Sequence, residues 1–143
     1  MAAVEEVTTT TEQASEAVGR HLASRLRPGD TVLLDGVLGA GKTRLVAGIA
    51  AGLGIDPTEV HSPSFTLVNE YARPDGRLLV HADGYRLADG ARLDNLGLEE
   101  AAAEGAWLAI EWPRGFVAPG RVWRVTLEVA GEARHIRITA PAA

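Results

Sequence analysis

The 143-residue chain has no cysteine, which excludes disulfides, thiolate nucleophiles and any zinc site built on sulfur. It has no apolar run near the length of about 18 residues that a membrane span needs. Its start, MAAVEEV, carries two acids and no apolar segment of signal-peptide type, so the expectation is a cytoplasmic protein that does not engage membranes. Lysine is nearly absent: of the 14 basic residues, 13 are Arg and the remaining one is Lys42. Lysine offers a compact point charge where arginine offers a planar fork. A chain that uses Arg almost everywhere therefore singles out the one stretch where it keeps Lys, GVLGAGKT. What is present is otherwise ordinary. Hydrophobic residues make up 46% and charged residues 23% of the chain, a globular composition at the length of a single domain.

Residues 1–9 lack periodicity and read as a frayed tail. Thr10 and Gln13 form a capping box ahead of a helix whose apolar positions include Ala14, Val18 and Leu22, stopped at Pro28-Gly29. Thr31 to Leu34 is a short strand, and a second helix runs from Lys42 to Leu53, with Gly54 as its stop. Thr66 to Tyr71 and Leu78 to Asp83 form a hairpin about Pro74-Asp75-Gly76. A short helix covers Leu96 to Glu104, Trp107 to Glu111 is a buried strand closed by Trp112-Pro113, and Val122 to Val129 and Arg134 to Thr139 are the last strands.

Gly36-Val37-Leu38-Gly39-Ala40-Gly41-Lys42-Thr43 fits G-x-x-x-x-G-K-[ST], and it lies between a predicted strand and a predicted helix, the context a phosphate-binding loop requires. The pattern groups Gly36, Gly39, Ala40, Gly41, Lys42, Thr43 and Arg44 about a nucleotide. Backbone N–H groups and the helix N-terminus face phosphate oxygens, Lys42 bridges the β- and γ-phosphates, and the Thr43 hydroxyl ligates Mg²⁺. The expected architecture is α/β: one P-loop NTPase domain over residues 1–143, a mixed sheet flanked by helices, with ATP and Mg²⁺ as cofactors.

Such a site needs a further oxygen ligand from the carboxyl end of a strand. Asp83 and Glu111 each close an apolar strand, and at least one of them serves the metal. Thr66, Ser62 or Ser64 is positioned to sense the γ-phosphate from a switch-like loop. The four histidines lack metal-ligand spacing. His81 alternates with Asp83 on one strand face, so it either belongs to the site or packs beside it.

With SPSFTLVNEY, HADGYRL, LGLEE and AIEWP following the P-loop in this order, the chain resembles the TsaE family, small bacterial ATPases required for threonylcarbamoyladenosine in tRNA. The resemblance spans roughly residues 10 to 139. It implies that Thr43 and Glu111 hold Mg²⁺, that Asp83 belongs to the catalytic centre with Lys42, and that Thr66 lies in a switch-like segment. It also implies that Thr11 and Glu12 flank the adenine, and that the partners are TsaD and TsaB, with tRNA engaged indirectly. The chain departs from the family at Val37, where an acid is common, and at Arg44, where Ser or Thr is common.

Other classes fit less well. A small-molecule kinase needs an Arg-bearing lid, for which only residues 88–92 are available. A GTPase reads guanine with Asn-Lys-x-Asp, and the single Lys is already in the P-loop. Two strand-end acids argue modestly against a binding module without hydrolysis, since metal binding alone would account for both. The net charge of −5 disfavours direct nucleic-acid binding, although the excess is uneven, −7 over residues 1–106 against +2 over 107–143.

Overall fold

Apolar runs too short for helices pair into a single mixed sheet in the computed structural model, which describes residues 3–37, 39–63, 66–85, 93, 96–113 and 115–142. Leu38, Ser64, Phe65, Arg86 and the candidate lid at 88–92 lie outside the described residues. The elements are β1 (Val4–Thr9), α1 (Glu12–Ala23), β2 (Thr31–Gly36), α2 (Lys42–Gly52), β3 (Val68–Ala72), β4 (Leu78–Asp83), α3 (Leu98–Ala103), β5 (Trp107–Glu111), β6 (Val122–Ala130) and β7 (Ala133–Thr139), with a 3-10 turn at Pro57–Glu59. The strands lie in the order β1-β7-β6-β2-β5-β4-β3. β6, β2, β5 and β4 run parallel, and the outer pairs are antiparallel.

The expected frayed tail at 1–9 is corrected. Residues 4–9 form an edge strand in register with β7, from Val4 opposite Thr139 to Thr9 opposite Arg134. Five of its six side chains are exposed, so the strand carries no apolar alternation, and its partner lies at the far end of the chain. Exposed ion pairs dress this edge: Arg137 reaches Glu6 at 2.9 Å and Arg25 reaches Glu5. The Arg137 guanidinium holds the Glu6 carboxyl below its ordinary range.

Helix boundaries shift for local reasons. Thr11 rather than Thr10 is the cap of α1, its hydroxyl accepting the Ala14 N–H at 3.0 Å. The helix closes at Ala23, where the Ser24 hydroxyl donates to the His21 carbonyl at 2.6 Å. α3 begins at Leu98 because Gly97 before it is left-handed, φ 75°.

Strand parity divides the core. Val32, Leu34, Leu79, Trp107, Ala109, Trp123 and Val125 pack with Leu22, Leu45 and Ile49 of α1 and α2. Leu33, Val80, Ala82, Leu108 and Ile110 pack on the opposite face with Leu98 and Phe116. His81, Asp83 and Glu111 continue the odd-numbered set of β4 and β5, so the sheet directs them to the side that carries α2.

α1 and α2 approach backbone to backbone. A Cβ at Gly48 would stand 2.0 Å from the Glu16 carbonyl oxygen, and one at Gly19 would stand 2.2 Å from that of Leu45. These are backbone atoms of two helices packed face to face and cannot swing aside. We expect Gly48→Ala to destabilise the domain by about 1–3 kcal/mol or more despite the better helix propensity of Ala. Thermal melts would show it as a lowered Tm, and an unchanged Tm would contradict the close approach.

Candidate functional site

The site is assembled at the carboxyl ends of the parallel strands. β2 ends at Gly36, and the chain turns over Gly39 to Gly41 into α2. Gly41 caps α2 with φ 101°, a left-handed geometry that a side chain would strain. The turn leaves the first N–H groups of α2 facing outward, a ready anion site.

Lys42 and Thr43 open the helix. Lys42 is only 4% exposed. Its Nζ donates to the carbonyl oxygens of Gly36 at 2.5 Å and Val37 at 3.0 Å, and it lies 4.5 Å from the centre of the Trp112 ring. Burial pushes the ammonium below the ordinary lysine range, while Glu111, Asp83 and Asp35 oppose the shift. An ammonium has three donors, so two carbonyls leave one for a ligand oxygen.

β4 and β5 bring in the acids. Asp83 and Glu111 are direct neighbours in the parallel register, and Leu34 of β2 flanks Glu111 on its other side. Both carboxylates are 3% exposed. The Thr43 hydroxyl donates to Glu111 Oε2 at 2.9 Å. Asp83 Oδ1 accepts the Tyr85 N–H at 2.8 Å, and the Asp83 N–H donates to the Leu67 carbonyl at 3.0 Å. Trp112, left-handed at φ 52°, donates its N–H to the Leu34 carbonyl and sets the chain direction just after Glu111.

A cavity of about 410 Å³ opens here, lined by Glu12, Gly39, Gly41, Lys42, Thr43, Arg44, Asp83, Glu111, Ser62 and Trp112 among others. A smaller one of about 150 Å³ continues it toward Thr11, Ala40 and Arg134, sharing Glu12, Gly39, Gly41 and Arg44. The predicted phosphate-loop residues, Glu12 and both acids thus converge on one cleft. Gly36 contributes its carbonyl to Lys42 from just behind it.

Thr66 behaves differently. It is exposed, its hydroxyl donates to Asn69 Oδ1 at 2.8 Å, and it is not among the described residues that line the cleft. Of the hydroxyls weighed with it, Ser62 does line the cleft. Arg44 is drawn to α1, meeting Glu16 at 2.8 Å and Glu12 at 3.5 Å, so its cation is matched by two acids rather than left bare beside the loop.

The donor set suits a hard divalent cation held with phosphates. A hydroxyl and a carboxylate meet at 2.9 Å, a second carboxylate is the next residue across the sheet, and the chain has no cysteine. Among the described residues no group of three or more His, Asp or Glu forms a protein-only metal cage. Mg²⁺ in nucleotide sites characteristically takes one or two protein oxygens and completes its shell with phosphate and water.

Sequence reasoning overlooked Trp112 as a cleft residue and Arg134 as its distant wall. Adjacency to Glu111 was a signal for the first. For the second there was none, because β7 joins the cleft only through sheet order.

The family model described as threonylcarbamoyl adenosine biosynthesis protein TsaE matches residues 9–137. A tRNA threonylcarbamoyladenosine biosynthesis protein TsaE of Streptomyces coelicolor is 37% identical over 131 residues, covering 85% of this chain and 87% of that protein. Its Bacillus subtilis namesake is 40% identical over 105 residues, covering 73% and 63%. The crystal structure of Bacillus subtilis YdiB superposes with a TM-score of 0.77 at 30% identity, covering 99% of this chain and 88% of that one. A match over nearly the whole chain, at identities that carry more than fold, means that this chain belongs to the TsaE family.

Proposed function

We propose that this protein binds Mg-ATP in the cleft above β2, β4 and β5 and hydrolyses it to drive the partner proteins that make threonylcarbamoyladenosine in tRNA. The observation that carries the reading is the 2.9 Å contact between Thr43 Oγ1 and Glu111 Oε2 at the foot of a phosphate-binding loop. It joins the loop hydroxyl and the strand-end acid that a magnesium nucleotide calls for.

The residues divide the work by position. The first N–H groups of α2 and the loop backbone bind the phosphates, and Lys42 supplies a fixed positive charge to the β- and γ-oxygens. Thr43 and Glu111 hold the cation, and Asp83 orients the attacking water. Bound Mg²⁺ would neutralise charge developing on the phosphate oxygens. Glu12 and Thr11, where the cleft narrows, face the nucleoside.

Hydrolysis by the protein alone is slow in this account. Arg44 is engaged by Glu12 and Glu16, and an arginine that stabilises the transition state is worth about 10³–10⁵ in rate when it is in place. TsaD and TsaB are the proposed partners. We expect phosphate release to rise on adding them, and their co-elution with this protein to depend on ATP. Equal, fast rates with and without partners would contradict the reading.

A further inference from the structure

Among the described residues, the mechanism leaves the buried imidazole of His81 unused. His81 is 0% exposed and sits two residues before Asp83 on β4. Its Nε2 lies 2.5 Å from Glu111 Oε2, and its Nδ1 lies 3.1 Å from the Tyr71 hydroxyl. That hydroxyl also accepts the His61 N–H at 3.3 Å. Asn69 extends the chain of contacts: its Nδ2 donates to the His61 carbonyl at 3.2 Å, and its Oδ1 accepts the Thr66 hydroxyl at 2.8 Å. The Tyr71 hydroxyl also lies 3.2 Å from the His61 carbonyl, which Asn69 Nδ2 already serves. With the one Tyr71 proton directed to His81 Nδ1, His81 Nε2–H donates to Glu111, and Glu111 Oε2 accepts both His81 and Thr43. Sheet register builds this line, since Asn69 faces His81 across the β3–β4 ladder and Asp83 faces Glu111 across the β4–β5 ladder.

We propose that His81 is a positioning residue that fixes the rotamer of Glu111, and that Tyr71 and Asn69 tie that rotamer to His61 and Thr66. The proposal rests on Glu111 serving a magnesium nucleotide. Both side-chain partners of Glu111 sit on Oε2, so the imidazole and the Thr43 hydroxyl together fix the plane of the carboxylate. A carboxylate that must meet a small cation with strict geometry gains from being set before the cation arrives. A histidine that merely filled space would need neither the contact to Glu111 nor a tyrosine holding its other nitrogen. Through Asn69 and the His61 backbone, the segment that carries Ser62 and Thr66 is connected to the metal-side carboxylate without touching the phosphates. Thr66, absent from the cleft wall, thereby gains a route to it.

The test is equilibrium binding rather than turnover. The Kd for ATP is measured with Mg²⁺ and again in EDTA for wild type, His81→Leu, His81→Gln and Tyr71→Phe, with a thermal melt of each. Wild type should bind more tightly with Mg²⁺. In His81→Leu that gain should fall about 10–100-fold, the usual effect of losing a group that holds a metal ligand, while the Kd in EDTA stays as in wild type. His81→Gln, which can still present an N–H to Glu111, should recover much of the gain. Tyr71→Phe, which keeps the ring and removes only the hydroxyl, should lose part of it and guards against a His81→Leu that does not fold. Lowered melting temperatures with an undiminished magnesium gain in all three variants would overturn the proposal, because packing alone would then explain His81. A wild type with no magnesium gain would overturn the functional reading, and this inference with it.

Discussion

Lys42→Ala is expected to fold and to lose about 10²–10³ in ATP turnover, the usual effect of removing a preorganised donor from developing charge. Folding should survive because burial already works against the ammonium, and of the two residues whose carbonyls it leaves, Gly36 is half-buried and Val37 exposed. Lys42→Arg is expected to fail nearly as badly. Lys42 is 4% exposed, and its ammonium fits between two carbonyls and the Trp112 ring. A planar guanidinium is wider there, and its fork cannot direct a single charge at two phosphate oxygens. Phosphate-release assays with thermal melts check both variants. An arginine variant with normal turnover would refute the argument drawn from the one lysine.

The second large effect separates the two acids. Glu111→Gln removes the charge that receives both the Thr43 hydroxyl and His81, so Mg²⁺ dependence and nucleotide affinity should weaken together, by about 10–100-fold. Asp83→Asn should spare binding and slow hydrolysis by about 10²–10⁴, the range for a lost proton-handling or water-orienting group. The backbone supports this division. Glu111 ends a central strand between β2 and β4. The Asp83 N–H is bonded to Leu67, in the connection leading into β3, so Asp83 is linked to the connection that the proposed reading treats as a switch. Magnesium titrations of nucleotide binding in both variants, beside single-turnover rates, distinguish the roles. The reverse pattern would exchange them, and loss of metal binding in both would mean that the ion is shared.

Those acids were legible because a parallel strand ends where ligands gather, and a carboxylate after an apolar run marks that end. The loop was legible for a similar reason, as glycines, lysine and threonine stood between strand and helix. β1 was not legible. Its sequence, VEEVTT, is polar and exposed, and what fixes it is backbone pairing with β7, which no local window contains. The α1–α2 seam was hidden because glycine registers as neither apolar nor polar in a periodicity reading, yet close approach at Gly19 and Gly48 depends on its missing side chain. His81 was half legible. Alternation put it on the face of Asp83, but its partners come from β3 and β5 and required the sheet order. Thr66 was expected to sense the γ-phosphate from a switch-like loop; its hydroxyl donates to Asn69.

The central claim is that one cleft binds ATP through Lys42 and a cation held by Thr43 and Glu111. Calorimetric titration of ATP into the purified protein, with Mg²⁺ and in EDTA, tests it most directly when Lys42→Ala is run alongside. Saturable one-site binding is expected, weakening at least about tenfold without Mg²⁺ and lost or severely weakened in the variant. Binding of equal strength in all three titrations, or none to wild type with Mg²⁺ present, would contradict it.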